Sequence, residues 1–335
     1  MRAFATFLLL LGGLPWLSGC IRKMPERPEG IDYRQEMRQF VIRIGDYARG
    51  LRPDFLLVPQ NGAELLAAEG GDSSSPAETY LEAINGQAQE SLFFGYSADD
   101  RPTPAEATQE LLSYLQLGQR YGLTILVTDY CSTPEKVDSS YVWNRRLGFV
   151  SFAADHRELD DIPAYPHPLP GENARDIRRL GQVSNFLYLI NPDNRFSSAE
   201  EFVSAVAATN YDLVILDLFF DGQPLSAEQI ARLRRKANGG RRLLLGYMSI
   251  GQAEDYRYYW KSEWNHKQPD WLDREDPNWP GNYFVKYWEP EWQAIIYGDS
   301  TSYTARLIFA GLDGAYLDII DAFEFFEQTG PAATP

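Results

Sequence analysis

The chain has 335 residues, and its 44% hydrophobic and 14% aromatic content excludes a mostly disordered protein. Its 47 acidic and 31 basic residues give a formal net charge of -16 at pH 7. This charge repels phosphate backbones and therefore argues against a nucleic-acid partner. An acidic surface keeps an exported protein soluble and also attracts a cationic ligand, so both explanations stay open.

The first twenty residues have the pattern of an export signal. Arg2 precedes an apolar stretch over residues 4–16, which is too short for a membrane span, and Leu17-Ser18-Gly19-Cys20 follows. This ending resembles the lipobox of bacterial lipoproteins, whose cysteine becomes the lipidated N-terminus. The next residue is not acidic, which by the same resemblance favours the outer membrane of a Gram-negative cell. The alternative is an ordinary cleaved signal peptide with a chance cysteine.

These features divide the chain into three parts. We expect a lipoprotein signal peptide over 1–19, a tether over 20–33, and a single domain over 34–330. The mature protein would then be attached to the membrane through Cys20. Lipidation of Cys20 would leave Cys131 without a second free cysteine. No intrachain disulfide could then form, and the fold must rest on its core. A domain of this length suits a (β/α)8 barrel, which typically takes about 250 residues.

Hydrophobic spacing predicts the secondary structure of this domain. In the first half we expect helices over 34–49, 77–84, 104–120 and 172–181, and strands over 55–58, 92–96, 123–129, 149–153 and 186–190. In the second half we expect helices over 199–208, 226–237 and 290–310, a long loop over 261–282, and strands over 213–217, 243–247, 284–288 and 314–318.

Apolar strands that alternate with helices are typical of parallel βαβ units. The nine strand candidates predict a (β/α)8 TIM barrel in which one strand is extra or miscounted. A doubly wound open sheet is the alternative. The Gly-rich phosphate-binding fingerprint of that fold is absent after the first strand.

Acidic residues recur at or shortly after the ends of four predicted strands. They are Asp129, Asp217, Glu254, Asp255, Asp318 and Asp321. Any single one of them is equally well explained as a helix cap or a turn residue, but capping gives no reason for acids to recur at strand ends. In a barrel these ends share one face, where active sites lie. Two carboxylates on either side of a bond are the groups that glycoside hydrolysis requires.

Six of the eight tryptophans lie between residues 260 and 292. A cluster of this kind is suited to stacking against sugar rings, and it is equally suited to form a small core that holds a long loop. Both readings stay open at this point.

Other chemistries lack their sequence patterns. No Gly-x-Ser-x-Gly motif is present, and the three histidines, His156, His167 and His266, do not have metal-ligand spacing. Cys131 has no histidine partner in the sequence and is expected to be buried and structural. We therefore expect no cofactor and no metal.

Several segments in order resemble one known family. They include Val127-Thr128-Asp129-Tyr130-Cys131 and Asp313-Gly314-Ala315-Tyr316-Leu317-Asp318, together with residues 59–62, 185–192, 211–219, 247–260 and 281–288. They are similar to the endo-α-1,4-polygalactosaminidase-like family of glycoside hydrolases, which is related to glycoside hydrolase family 114. The likeness covers residues 34–327. It implies a TIM barrel and, as substrate, an α-1,4-linked galactosamine-containing polysaccharide, which is cationic when deacetylated.

Glu254 and Asp318 are the predicted catalytic pair, with Asp217 as a further catalytic candidate. The sequence leaves open which of the pair is the acid. The predicted substrate contacts are Gln60, Asn61, Asp129, Tyr130, Gln252, Asp255, Arg257, Trp288 and Asp321.

One position departs from the family pattern. Glutamate usually follows Ser-Ile-Gly, whereas this chain has Gln252 there. Glutamine exchanges no proton at neutral pH, so a catalytic acid at this position would be lost. The alternative function is therefore a non-catalytic, polysaccharide-binding envelope lipoprotein.

Overall fold

The computed structural model describes residues 30–68 and 73–329. The expected signal peptide, Cys20 and most of the tether lie outside these residues. No helix within the described ranges combines the length and the hydrophobicity that crossing a membrane requires.

Strands and helices alternate along most of the described chain. The strands are β1 (Leu56–Pro59), β2 (Gly86–Glu90), β3 (Thr124–Tyr130), β4 (Val150–Ala154), β5 (Phe186–Leu189), β6 (Leu213–Leu216), β7 (Phe219–Phe220), β8 (Gln223–Pro224), β9 (Leu243–Ser249), β10 (Gln252–Glu254), β11 (Leu272–Glu275), β12 (Asn282–Val285) and β13 (Gly314–Asp318). The α-helices are α1 (Tyr33–Leu51), α2 (Glu78–Ala83), α3 (Ala105–Arg120), α4 (Pro134–Leu147), α5 (Ala199–Ala207), α6 (Ala227–Leu233), α7 (Pro290–Ile296), α8 (Tyr303–Ala310) and α9 (Ala322–Thr329).

Parallel strands form the centre of the fold. One sheet has the order β1-β13-β9-β6-β5, and a second has the order β2-β3-β4. A parallel bridge between Gln60 and Ala88 joins β1 to β2. At the two ends of this series, the rings of Phe152 in β4 and Phe186 in β5 lie 5.6 Å apart. The fold is therefore α/β with a parallel strand series, as the sequence predicts.

The strands are buried on both faces, which parallel sheets require. All four residues of β6 and all seven of β9 are buried. Local signals set the helix ends around them. Ser198 accepts a hydrogen bond from the Glu201 amide at the start of α5, and Gly148 ends α4 with a φ of 77°.

The second predicted strand is wrong. The strand is Gly86–Glu90, and residues 92–96 form a loop instead. Hydrophobic spacing does not reveal this strand, because Gln87 and Gln89 are polar although both are buried. The Gln87 amide nitrogen donates to the carbonyl oxygens of Asn61 and Ala88, which offsets part of the cost of its burial, while its Oε1 has no partner among the described residues.

Two further elements differ from the prediction. Residues 172–181 form no α-helix but an extended segment that reaches a 3₁₀ turn, Leu180–Gln182. The predicted helix 290–310 is two helices, α7 and α8, separated around Gly298, which has a φ of 123°. Helix α4 was not predicted from the sequence.

The strand candidate at 284–288, the eighth in chain order, belongs to a different sheet. Residues 284–288 overlap β12, which lies antiparallel between β10 and β11. The expected loop 261–282 therefore contains part of a small antiparallel sheet. Without this candidate, eight parallel strands remain in the described chain, β1 to β6, β9 and β13.

Candidate active site

Two carboxylates, one at the end of β10 and one just after β6, meet around one arginine. The Nη1 atom of Arg257 lies 2.5 Å from Oδ2 of Asp217, which follows β6. The Nε atom of the same guanidinium lies 2.5 Å from Oε2 of Glu254, and Nη2 donates to Oε1 over 3.2 Å. All three side chains are buried, with Glu254 only 2% exposed. We call Asp217, Glu254 and Arg257 the charged triad.

The two carboxylates of the charged triad keep Arg257 positively charged. Burial alone lowers the pKa of Arg257, but the charges of Asp217 and Glu254 raise it well above the usual range, so the guanidinium stays positive. Burial raises the pKa of Asp217, against the opposing effect of Arg257. Buried charges are tolerated when they are paired and hydrogen-bonded, as these are.

Glu254 is held in place by its strand and by two tyrosines. It ends β10, where it lies opposite Asn282 of β12. Tyr256 donates its hydroxyl to Oε1 over 2.7 Å, and the Glu254 amide donates to the Tyr259 hydroxyl over 3.0 Å. Tyr256 itself is 58% exposed, so one face of the triad meets the solvent through this ring.

Asp318 ends β13. Its Oδ2 accepts a hydrogen bond from the Tyr247 hydroxyl over 2.7 Å, and its Oδ1 accepts one from the Ile319 amide over 2.8 Å. Burial and the negative charge of Glu90 raise the pKa of Asp318 to about 7, although both hydrogen bonds oppose this, and Glu254 adds to the increase. The Asp318 carboxyl is therefore poised to exchange a proton near neutral pH.

The backbone beside Asp318 is unusual. Ile319 has a φ of 57°, which is an outlier for a β-branched residue. A Cβ at Gly251 would lie 2.0 Å from the Ile319 carbonyl oxygen, so only glycine fits between β9 and β10. Strained backbone of this kind concentrates at functional sites.

Glu90 is an acid of this site that sequence reasoning missed. It ends β2, its Oε1 accepts a hydrogen bond from the Tyr130 hydroxyl, and its Oε2 accepts one from the Asn61 amide over 3.0 Å. Its charge acts on Asp318. The misplaced second strand concealed it. The signal available in the sequence was a segment of strand length that lies between two predicted helices and ends on an acid.

The structure brings several predicted contacts to Glu90. Asn61 and Tyr130 bind its two carboxylate oxygens, and the Asn61 Oδ1 accepts the Glu90 amide over 3.0 Å. Gln60 is buried beside them, and its Oε1 has no hydrogen-bond partner within the described chain. Gln252 donates to Asp276 over 2.8 Å, and its Oε1 likewise lacks a partner among the described residues.

Asp129 does not take part in the hydrogen bonds around Glu90. It is fully buried, its Oδ1 accepts the amides of Phe93 and Phe94, and its Oδ2 accepts the Ser140 hydroxyl over 2.6 Å. The reason is the alternation of a strand: Tyr130 points to Glu90, so Asp129 points to the opposite face. Asp129 therefore holds a loop and α4 together.

Trp288 is also placed away from the triad's contacts. It packs against Tyr33 at 5.1 Å and edge-on to Phe326 of α9 at 4.8 Å. Asp255 is exposed, and its amide donates to the Gly281 carbonyl over 2.9 Å. Asp321 is partly exposed after β13. Burial and the charges of Asp318, Glu324 and Glu90 raise its pKa well above the usual range.

The tryptophan cluster is mainly a small core. Trp264 meets Trp271 edge-on at 5.1 Å, and Trp271 lies 5.2 Å from Trp292. All three are buried. The Trp292 indole donates to the Ile250 carbonyl over 2.8 Å, so the cluster fixes the turn that precedes Glu254. Trp279, by contrast, is 54% exposed.

One group of described residues has metal-ligand spacing. Ligand atoms of Asp155, His156 and Asp161 lie within 4.8 Å of one another after β4. Both His156 ring nitrogens already face carboxylates, with Nδ1 2.6 Å from Asp155 and Nε2 2.7 Å from Asp160. Arg195 adds a positive charge on Asp160 and Asp161. His156 and Arg195 thus form ion pairs with the acids of this group. Cys131 is buried as expected, and burial raises the pKa of its thiol.

The C-terminal part of the chain is similar to a known family. Residues 187–334 match the model of a family described as glycoside-hydrolase family GH114. The matched range contains the charged triad and Asp318, whereas Glu90 lies outside it. The relation to this family that the motifs predict is thereby confirmed.

Three curated proteins share part of the sequence. One from Thermotoga maritima is 41% identical over 125 residues, covering 37% of each chain. The protein MJ1477 of Methanocaldococcus jannaschii is 40% identical over 164 residues, covering 47% of this chain and 43% of its own. One from Deinococcus radiodurans is 44% identical over 123 residues, covering 36% of this chain and 37% of its own. The chain thus spans less than half the length of the curated relatives it matches.

Among solved structures, Ega3 of Aspergillus fumigatus in complex with galactosamine matches 37% of this chain and 43% of its own, with 21% identity and a TM-score of 0.22.

Proposed function

Because the chain is related to glycoside hydrolase family 114, we propose that it is a glycosidase that cleaves α-1,4-linked galactosamine-containing polysaccharide. The observation that carries this proposal is the contrast between two carboxyl groups at the strand ends. Asp318 has a pKa of about 7, whereas Glu254 lies against the positive Arg257. Two acids in opposed environments are the arrangement that acid and base catalysis requires.

This contrast supports a division of roles. Asp318 is the general acid, because its raised pKa keeps it protonated up to near-neutral pH and it can protonate the leaving oxygen. Glu254 is the nucleophile or the base, because charge-assisted hydrogen bonds from Arg257 stabilise its anion. Asp217 positions Arg257 from the other side. Asn61, Tyr130, Gln60 and Gln252 supply polar groups for sugar hydroxyl and amino substituents.

We infer that the eight parallel strands close into a (β/α)8 TIM barrel. The strand series runs from β5 through β1 to β4, and Phe152 and Phe186 contact each other across its two ends. Closure gives Glu90 at the end of β2, Asp217 after β6 and Asp318 at the end of β13 one common face.

We further propose that the protein is exported and anchored in the outer membrane through a lipid on Cys20. The support is the lipobox-like sequence before this residue. Cell fractionation and mass spectrometry of the N-terminus test it: Cys20→Ser should release the protein from membranes. An unlipidated wild-type N-terminus contradicts this part of the proposal.

The second candidate is a polysaccharide-binding lipoprotein without turnover. The observation that favours it is Gln252, which replaces the usual glutamate and is buried against Asp276. Binding of polymer without any cleavage, unchanged by Gln252→Glu, would favour this candidate over the glycosidase.

The experiment that tests the proposed function is a cleavage assay. The purified protein is incubated with polygalactosamine and with its N-acetylated form, and released oligosaccharides are measured by mass spectrometry. We expect products with wild type and with the control variant Glu135→Gln on the exposed face of α4, and strongly reduced products with Asp318→Asn and Glu254→Gln. No product from wild type, or undiminished product from both site variants, contradicts the proposal.

A further inference from the structure

A histidine and two aspartates come together in the loop that follows β4. Asp155, His156 and Asp161 each offer one ligand atom, and these atoms lie within 4.8 Å of one another. All three residues are partly buried. Within the described chain, none of them binds Asp318, Glu90 or the charged triad. The proposed glycosidase function therefore gives no reason for this group, which we call the loop ligands.

A reversal of the backbone brings the loop ligands together. Asp155 and His156 are adjacent, whereas Asp161 comes five residues after the histidine. Leu159 lies between them with a φ of 49°, in the left-handed region, and its side chain is buried. Its carbonyl oxygen accepts the Ile190 amide after β5 over 2.9 Å. This turn is not visible as ligand spacing in the sequence, so the group emerges only from the structure.

The imidazole of His156 is held by a carboxylate on one side. Its Nε2 atom lies 2.7 Å from Oδ1 of Asp160, a residue that is only 7% exposed. The ring nitrogen left for an ion is Nδ1, which lies 2.6 Å from Oδ1 of Asp155. Histidine ligands of metals usually have this arrangement, in which a carboxylate binds the second ring nitrogen and fixes the ring.

The negative charge of this loop exceeds the positive charge beside it. Asp155, Asp160 and Asp161 carry three carboxylates. The arginine that pairs with them in the described chain is Arg195, which lies 3.2 Å from Asp160 and 3.3 Å from Asp161. Asp155 has His156 as its ion-pair partner among the described residues. With a neutral imidazole, two negative charges remain, which is the charge that one divalent cation balances.

The donor set distinguishes among divalent cations. Ca²⁺ and Mg²⁺ take oxygen ligands, whereas Zn²⁺ binds imidazole nitrogen and carboxylate oxygen at about 2.0 to 2.2 Å. Neighbouring ligand atoms of a tetrahedral zinc ion are then about 3.4 Å apart. The pair at 2.6 Å has to open and the widest pair, within 4.8 Å, has to close. Both changes are of the order of 1 Å, which small side-chain rotations supply.

We propose that Asp155, His156 and Asp161 bind one Zn²⁺ ion, with Asp160 as the carboxylate that orients the histidine. Three protein ligands leave the fourth tetrahedral position to a water molecule. The ion holds the two ends of the loop after β4 together. This inference goes beyond the proposed function and does not depend on it.

The loop that the ion holds also reaches the candidate active site. Arg157 follows the histidine ligand, and its guanidinium lies over the Tyr130 ring at 4.4 Å. The Tyr130 hydroxyl in turn donates to Glu90. Zinc thus stabilises a loop that packs on the hydrogen bonds around Glu90, and its role is to hold this part of the strand-end face in place.

The test is zinc binding by the purified protein, without an affinity tag, after treatment with a chelator. Equilibrium dialysis against zinc chloride should give one bound zinc per chain, and an excess of calcium or magnesium chloride should not displace it. Asp160→Asn should weaken zinc binding by about 10- to 100-fold, and His156→Ala and Asp161→Asn should weaken it further. The control variant His266→Ala with Asp270→Asn changes the same residue types at exposed positions elsewhere and should bind zinc as wild type does.

Hydrogen exchange locates the ion in wild type without any substitution. Zinc should slow amide exchange over residues 155–161, and zinc at 100 times its Kd should raise the unfolding temperature by about 5 °C. Circular dichroism shows which variants are folded. No zinc uptake by wild type, wild-type affinity in the folded ligand variants, displacement by calcium or magnesium, or protection confined to other segments overturns the inference. No carbohydrate enters these measurements, so their failure is distinct from failure of the proposed function.

Discussion

Replacing Arg257 by methionine removes the cation that two buried carboxylates share. Arg257→Met deletes hydrogen bonds of 2.5 and 3.2 Å to Glu254 and one of 2.5 Å to Asp217. Both acids are more than nine-tenths buried. Removing one partner of a buried ion pair typically costs about 3 to 5 kcal/mol. We expect a loss of this size in the free energy of unfolding at pH 7.

The pH dependence of this loss follows from the sign of the pKa shift. In the variant both carboxylates keep their burial and lose their counter-charge, so the pKa of Asp217, which burial already raises in wild type, rises further in the folded state. In the unfolded chain, carboxyl groups have pKa values near 4. An acid whose pKa is higher in the folded state destabilises the fold progressively as the pH rises above its unfolded-state pKa. The variant should therefore be less impaired at pH 4.5 than at pH 7.

Urea unfolding at pH 4.5 and pH 7, followed by tryptophan fluorescence, measures both quantities. Removing all three charges, with Asp217→Asn and Glu254→Gln added to Arg257→Met, should recover part of the stability at pH 7. A single variant within about 0.5 kcal/mol of wild type, the range of ordinary surface substitutions, contradicts the reasoning. A loss that is equal at both pH values contradicts it as well.

Of three further predictions, two concern activity on polygalactosamine and one concerns thermal stability. If Asp318 is the acid, kcat/KM should fall as the pH rises through about 7, and Asp318→Asn should reduce it by about 10² to 10⁴-fold. Tyr247→Phe removes a hydrogen bond that lowers the pKa of Asp318, so the fall should move to higher pH, whereas Glu90→Gln removes a charge that raises this pKa and should move it to lower pH. Gln252→Glu places a carboxylate 2.8 Å or so from Asp276, so it should lower the unfolding temperature at pH 7 more than at pH 5.

Each of these predictions has a clear contrary result. A pH–rate profile that is identical in wild type, Tyr247→Phe and Glu90→Gln would separate Asp318 from the proton transfer. Equal unfolding temperatures of Gln252→Glu and wild type at both pH values would show that position 252 tolerates a charge, and the argument from its burial would then be wrong. Circular dichroism of every variant controls for misfolding.

The parts of the fold that the sequence predicts well are its apolar strands. β6 and β13 are continuous buried runs that end at or next to an acid, so both the strand and its carboxylate are visible in the sequence. β2 was not predictable in the same way, because Gln87 and Gln89 are polar and become buried only through bonds to the neighbouring Asn61 segment. Hydrophobicity does not report on hydrogen bonds that form after folding, and Glu90 was missed for that reason.

The candidate site shows a second limit. Asp129 and Tyr130 are adjacent at the end of β3, and one of them faces Glu90 while the other faces α4. A strand alternates its side chains, but the sequence does not state which member of the pair faces inward. Arg257 is predicted as a sugar contact, and the structure adds three hydrogen bonds to carboxylates that the sequence does not show. Its partner Asp217 is forty residues away in the sequence.

The most direct test of the account compares leaving groups. Protonation by Asp318 matters for a sugar leaving group and not for a 2,4-dinitrophenolate, which departs without a proton. The account predicts that Asp318→Asn loses cleavage of polygalactosamine but retains cleavage of 2,4-dinitrophenyl α-galactosaminide, whereas Glu254→Gln loses both. Equal losses of both substrates in Asp318→Asn, or activity of Glu254→Gln on the aryl glycoside at the wild-type rate, would contradict the assignment of these two carboxylates.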